Sequence, residues 1–162
     1  MKRDPTHWFV RDRLRLLQAI MEKLAGNAHI SFEGNLQGFR ILTMPGASAQ
    51  ETKTLKRNTR WPVQDFVVLP LEQGMGRGIV SALGGAVPKR VLHVQIEKNG
   101  TLQFGAYDNF HPECIYFGPA TSGKLLDALV LEGVLKVDTA SKPDRANKRS
   151  WRDLLRIFPW RT

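Results

Sequence analysis

Four side chains able to do chemistry fall within seven residues in Asp108-Asn-Phe-His111-Pro-Glu113-Cys114: two carboxylates, an imidazole and the only thiol of the chain. A cysteine beside a histidine can become an activated thiolate, with an acidic neighbour orienting the ring. Cys114 would be the nucleophile, His111 its base, and Asp108 or Glu113 the orienting group. The plainer reading is a polar turn between two strands. Pro112 stiffens the stretch between His111 and Cys114, and nucleophile and base usually meet through the fold rather than from adjacent positions. Cys114 also opens an apolar run, and free cysteine is among the most buried residue types. His93 could add a third metal ligand, but no spacing requires it. The expectation is no committed catalytic residue, no metal and no cofactor. If the chain is an enzyme, these four residues are the place to look.

Two other segments could hold an anion. Gly118-Pro-Ala-Thr-Ser122-Gly123-Lys124-Leu125 resembles the Walker A phosphate loop, G-x-x-x-x-G-K-[ST], and falls between an apolar run and a helical pattern. Exposed N–H groups and the helix dipole would favour a phosphate there, with Lys124 adding charge. The final position departs from the pattern, because Leu125 cannot ligate magnesium as a hydroxyl does. Too little chain follows to build the parallel strands of such a fold, so a helix capped by Ser122 is the simpler account. The second segment, Gly74-Met-Gly-Arg77-Gly78, could bring backbone and a guanidinium to a phosphate. Its G-x-G-x-G spacing is not a dinucleotide fingerprint. It reads more simply as a mobile loop around a short helix, 79–83.

The remaining signal is charge interleaved with aromatic rings. Lys53, Lys56, Arg57 and Arg60 precede Trp61, while Lys142, Arg145, Lys148, Arg149 and Arg152 surround Trp151. Phosphates need cations, and aromatic faces stack on unpaired bases, so the mixture suits nucleic acid. The formal net charge of +9 is segregated: +3 over 1–25, +3 over 26–64, −2 over 65–138 and +5 over 139–162. Such asymmetry points to a polyanionic partner, either nucleic acid or an acidic protein. The leading expectation is a non-catalytic nucleic-acid-binding protein. The alternatives are an inhibitor- or immunity-type module docking an acidic protein, and a small enzyme or phosphate binder using 74–78 and 108–114.

The elements that must position these residues are legible in part. Asp4-Pro5 has the form of a helix start, and Val10, Leu14, Leu17, Met21 and Leu24 recur at helical spacing until Gly26. His29–Glu33 alternates, with Ile30 and Phe32 opposite His29, Ser31 and Glu33. Gly34-Asn35 and a returning strand from Gly38 to Leu42 would complete a hairpin. Residues 43–64 lack periodicity and read as a surface loop. Phe66–Leu69 reads as a buried strand ended by Pro70. Val91–Glu97 alternates, Asn99-Gly100 is a strong hairpin turn, and Thr101–Ala106 returns. Cys114–Phe117 is a further strand, Ser122 caps a helix that Gly133 ends, and Val134–Val137 is a last strand.

Two hairpins flanked by helices predict an α+β domain over 1–138: an antiparallel-rich mixed sheet of five or six strands, an N-terminal amphipathic helix and a second helix near 122–132. Residues 139–162 read as a basic extension with a short amphipathic helix, docked on the domain or serving as a dimer contact. One cysteine in 162 residues excludes an intrachain disulfide framework and a thiolate metal cluster. No apolar run approaches the roughly 20 residues of a membrane span. The N-terminus lacks the apolar core of a secretory signal, so a cytoplasmic setting is expected.

Overall fold

In the computed structural model, which describes residues 7–138, the first helix starts later than the Asp4-Pro5 pair suggests. Residues His7–Val10 form a strand, β1, and helix α1 runs from Arg13 to Leu24. Its cap is Asp12, whose carboxylate accepts the Arg15 N–H at 3.0 Å. This satisfies one of the donors a helix start leaves without a partner. The helical spacing is nevertheless real: Leu16, Leu17, Ile20, Met21 and Leu24 are buried along one stripe. At the other end, Lys98 donates its ammonium to the carbonyls of Leu24, Ala25 and Gly26 at 2.8, 3.0 and 2.7 Å. A cation there meets the negative end of the helix dipole and the carbonyls that α1 cannot pair itself.

Strands β2 (Ala28–Gly34), β3 (Asp65–Leu71), β4 (Val91–Lys98), β5 (Thr101–Ala106) and β6 (Ile115–Phe117) form a five-stranded sheet in the order β3-β2-β4-β5-β6. Every pairing in it is antiparallel. Helices α2 (Gly76–Ala82) and α3 (Gly123–Leu131) and strand β7 (Leu135–Asp138) complete the order. β7 pairs antiparallel with β1 in a separate two-stranded sheet. The fold is therefore α+β, with α1 and α3 near their expected places. Among the described residues no helix is long and apolar enough to cross a membrane.

The β4–β5 hairpin turns at Asn99-Gly100, both with positive φ (52° and 76°), as a tight primed turn requires. The expected first hairpin does not form. β2 is an inner strand whose two edges are taken by β3 and β4, so a strand returning over 38–42 has no edge to pair with. Instead Arg40–Thr43 makes a 3₁₀ turn with Ile41 buried, and Asp65 anchors the chain leaving β2 by accepting Leu36 N–H at 2.9 Å. Nor does Pro70 end β3, which continues to Leu71 with Pro70 opposite His29. Proline is tolerated because β3 is an edge strand of the sheet. Gly34 is required where β2 bulges against β4, since a Cβ there would collide with the Arg90 carbonyl.

One face of the sheet packs against α1 through Ile30, Phe32, Leu69, Val94, Ile96 and Phe104. Each such side chain contributes on the order of 2 kcal/mol by leaving water. The other face carries the polar residues of β2 and β4, and apart from His29 these are closed off from solvent. Ser31, Glu33, His93, Gln95 and Glu97 are all buried. What buries them is the segment read from sequence as a surface loop.

Candidate functional site

On the second face, the antiparallel register sets His29 opposite Glu97, Ser31 opposite Gln95, and Glu33 opposite His93. This is a ladder of polar cross-strand pairs. Residues 52–59 lie over it as a strap, bonded along its length. Thr52 donates its hydroxyl to Glu97 at 3.3 Å, and Gln95 donates its amide to the Lys56 carbonyl at 2.7 Å. The two Glu33 oxygens accept the N–H groups of Asn58 and Thr59 at 2.7 and 2.9 Å. A single apolar plug, Leu55, is fully buried among Phe66, Val68 and Leu102. The strap thus supplies backbone partners to Glu33 and Gln95, and its Asn58 and Thr59 N–H groups are satisfied in return, while Gln95 Oε1 stays buried without a partner.

Two titratable groups of the ladder are displaced by this cover. Burial raises the Glu33 carboxyl above its ordinary range; the Asn58 and Thr59 N–H groups and the nearby Arg57 charge act against that rise. His93 accepts the Asp108 N–H on Nδ1 at 3.1 Å. The proton of the neutral ring therefore sits on Nε2, which donates to the Thr59 hydroxyl at 2.9 Å. Burial pulls this imidazole down to about 4, with the Asp108 carboxylate opposing.

Being held from below, the strap turns its basic side chains outward. Lys53, Arg57 and Arg60 are exposed, and Lys56 is half-buried and 3.7 Å from Glu51. Arg57 donates to the Gln64 carbonyl at 2.8 Å and lies 5.0 Å from the Phe66 ring centre. Trp61 follows, 85 % exposed, with Val63 at 71 %. The candidate group Lys53, Lys56, Arg57, Arg60 and Trp61 is thus brought onto one short, anchored segment. Lys142, Arg145, Lys148, Arg149 and Arg152 lie outside the described residues, as does the whole 139–162 extension.

The 108–114 cluster takes a different form from a nucleophile–base pair. Asp108, Asn109 and Phe110 are all left-handed, with φ of 48°, 57° and 62°. The turn is held by burial of Phe110 and by bonds from Arg13 to Asn109 and from His111 N–H to the Tyr107 carbonyl. His111 turns its Nδ1 to the Glu113 N–H at 3.3 Å, capping the 3₁₀ turn Pro112–Cys114 that precedes β6. The Cys114 thiol is pushed up by burial and then by Asp108 and Glu113, which opposes formation of a thiolate. Among the described residues no group of three His, Cys, Asp or Glu side chains is placed to hold a metal ion.

The anion candidates also resolve into local structure. Ser122 accepts the Leu125 N–H at 3.2 Å as the cap of α3. The loop before it is spent on β5: Ala120 N–H donates to Gln103 Oε1 at 2.8 Å, and Gly118 N–H to the Gln103 carbonyl at 2.7 Å. Gly123 and Lys124 are exposed at the start of α3. Arg77 lines a shallow groove of about 450 Å³ with Gln18, Glu22, Glu72 and Gln73, and none of Ser122, Gly123 or Lys124 lines it. Two carboxylates facing one guanidinium do not favour a phosphate there.

The residues missed from sequence are the anchors Thr52, Thr59, Glu33 and Gln95, and a pair of tyrosines on the same face. Tyr107 stands beside His93, with ring centres 5.9 Å apart, and the hydroxyl end of its ring fills the place of a side chain at Gly105. Gly105 in turn pairs with Tyr116 on β6. Burial, then Tyr116 and Cys114 beside it, raise the Tyr107 phenol. The signal available was polar alternation in two separate strands, each reading on its own as a solvent side. The chain matches no protein-family model, no curated protein and no solved structure.

Proposed function

We propose that the protein is a non-catalytic binder of a polyanion, nucleic acid above all, and that the strap is its grip. The observation that carries this reading is the anchoring of Lys53, Lys56, Arg57 and Arg60 beside the exposed Trp61. Cations on a floppy loop lose entropy when they close on phosphates. Cations on a segment already fixed by hydrogen bonds lose less of it. An exposed indole at the end of a basic row adds a stacking face for an unpaired base. The extension 139–162 would contribute the remaining cations, and the setting would be cytoplasmic.

The test is fluorescence anisotropy with labelled single-stranded RNA, single-stranded DNA and duplex DNA at two salt concentrations. Contacts from the strap cations predict that log K against log salt falls with a slope of roughly −3 for a single strand, at about −0.7 per phosphate. Absence of binding to all three polymers at low salt would remove this reading. A second reading is favoured by one observation: Trp61 and Val63 are both strongly exposed, directly after the basic residues of the strap in sequence. Aromatic anchors ringed by charge also suit a protein interface. An acidic protein would then be the partner, bound saturably and indifferent to generic nucleic acid.

A further inference from the structure

Beyond the strap, the second face of the sheet continues across β5 and β6. The register places Leu102, Gly105 and Tyr107 on this side, with Tyr116 of β6 next to Gly105. Leu102 packs under the strap plug Leu55. Tyr107 leans over Gly105, and Tyr116 stays 39 % exposed among the described residues. The strap reaches the border of this half: Thr59 is bonded to His93 of β4 at 2.9 Å, and the His93 ring is 5.9 Å from Tyr107. Beyond Thr59 the chain passes through Trp61 and returns to the sheet at Asp65 of β3.

We infer that the β5–β6 half of this face is a stacking platform for unpaired bases, with Tyr116 as the exposed ring and Tyr107 as its support. The inference rests on the proposed grip of the strap on a polyanion and narrows its ligand to a single strand. The basic strap supplies charge complementarity along one side of the platform, where a phosphate backbone would run. The glycine at position 105 makes room for the Tyr107 ring, which lies against the sheet there and braces the neighbouring Tyr116. A duplex hides the faces of its bases and can use the cations but not the ring. An unpaired strand uses both, and every base has a π-face, so the platform is tolerant of sequence.

The experiment compares Tyr116→Thr with Lys53→Glu/Arg57→Glu in the full chain, against a labelled 20-nucleotide oligothymidine and a labelled 20-base-pair duplex. Threonine keeps the strand preference at position 116, and circular dichroism melts confirm that each variant is folded. Leu131→Ala, an exposed site on α3, is the control. The expected result is a wild-type preference of about tenfold or more for the single strand. Tyr116→Thr should lower single-strand affinity by about tenfold, as loss of one stacked base implies, and leave duplex affinity unchanged. The double charge reversal should weaken both polymers alike. If charge reversal weakens binding while Tyr116→Thr matches the wild type on the single strand, the platform is wrong and the strap reading stands. If the wild type binds neither oligonucleotide nor a labelled 20-nucleotide oligouridine, both readings fall and an acidic polypeptide, such as polyglutamate, becomes the probe to pursue.

Discussion

His93 joins the strap to the sheet through a tautomer that protonation destroys. Its Nδ1 must remain an acceptor for the Asp108 N–H, and a second proton on the ring would set two N–H groups against each other. The folded pKa of about 4 lies below the ordinary value of 6.5. Between those two values the unfolded chain therefore binds more protons than the folded one. His93 adds no penalty above about pH 6.5, and it costs stability progressively as pH falls toward 4. Glu33 acts in the opposite sense: its raised carboxyl pKa favours the folded state as pH falls through the region above 4.5. The two are separable with His93→Gln. Urea unfolding of the wild type at pH 7 and pH 5 should show a loss of roughly 2 kcal/mol from His93, diminished by the Glu33 contribution. The variant should lose the His93 part and retain the Glu33 trend. A wild type and a variant with equal pH slopes would show that the ring binds protons alike in the folded and unfolded chain, and that burial does not displace it. At Glu33 itself, substitution by alanine leaves the Asn58 and Thr59 N–H groups without acceptors. We expect Glu33→Ala to destabilise by roughly 2–3 kcal/mol, measured by the same unfolding curves.

The strap is held by many polar bonds but by one buried apolar side chain, and that imbalance sets its behaviour as an element. Leu55→Ala removes the plug from between Phe66, Val68 and Leu102. The expected cost is about 3 kcal/mol, within the usual range for a leucine truncated in a core. It should fall on the strap before it falls on the sheet, because local opening samples the least buried unit first. Trypsin cuts after Lys and Arg, so limited proteolysis should cleave the variant at Lys53, Lys56 or Arg57 much faster than the wild type, with the β2–β4 core protected. Equal cleavage rates would mean the strap opens independently of Leu55. This element also marks where sequence reading succeeds and fails. The α1 stripe, the Asn99-Gly100 hairpin and the Ser122 cap were legible because their signals are local: a period, a turn dipeptide, a single capping hydroxyl. The start of α1 lies later than Asp4-Pro5 implies because His7–Val10 is taken up by the pairing of β1 with β7, which local sequence does not show. The strap was illegible for the same kind of reason. Its 52–59 segment has no period, and its stability comes from Glu33, Gln95 and His93, which lie far away in sequence and look like solvent-facing residues within their own strands. The basic and aromatic residues of the strap were legible as a cluster. Their anchoring, and the Tyr107–Tyr116 pair, needed the register.

At the scale of the whole molecule, charge is uneven along the chain: +3 over 1–25, +3 over 26–64, −2 over 65–138 and +5 over 139–162. Residues 65–138 carry eight acidic and six basic groups, whereas 26–64 carry five basic and two acidic, and 139–162 seven basic and two acidic. The strap lies in the first of these basic stretches, held on a sheet whose later strands belong to the acidic body. Under the proposed reading, a phosphate chain would be drawn toward the strap more than toward the acidic 65–138 stretch, an arrangement that would raise encounter rates and orient the encounter. If the extension shares in binding, its cations and those of the strap release counterions from the same bound strand, and their contributions to the salt slope add. Changing Lys142, Arg145, Lys148, Arg149 and Arg152 together to glutamine in the full chain tests this. Each phosphate that no longer meets a cation should flatten the single-strand slope by about 0.7, so full engagement of these five groups predicts a change of roughly 3 to 4. A flattening of that size with the strap intact would assign the extension an equal part in binding. An unchanged slope, with binding weakened by Lys53→Glu/Arg57→Glu, would confine the interface to the strap face. The extension's charge would then serve approach rather than contact, which stopped-flow association rates at two ionic strengths would reveal as a lower rate constant at unchanged salt slope in the equilibrium constant.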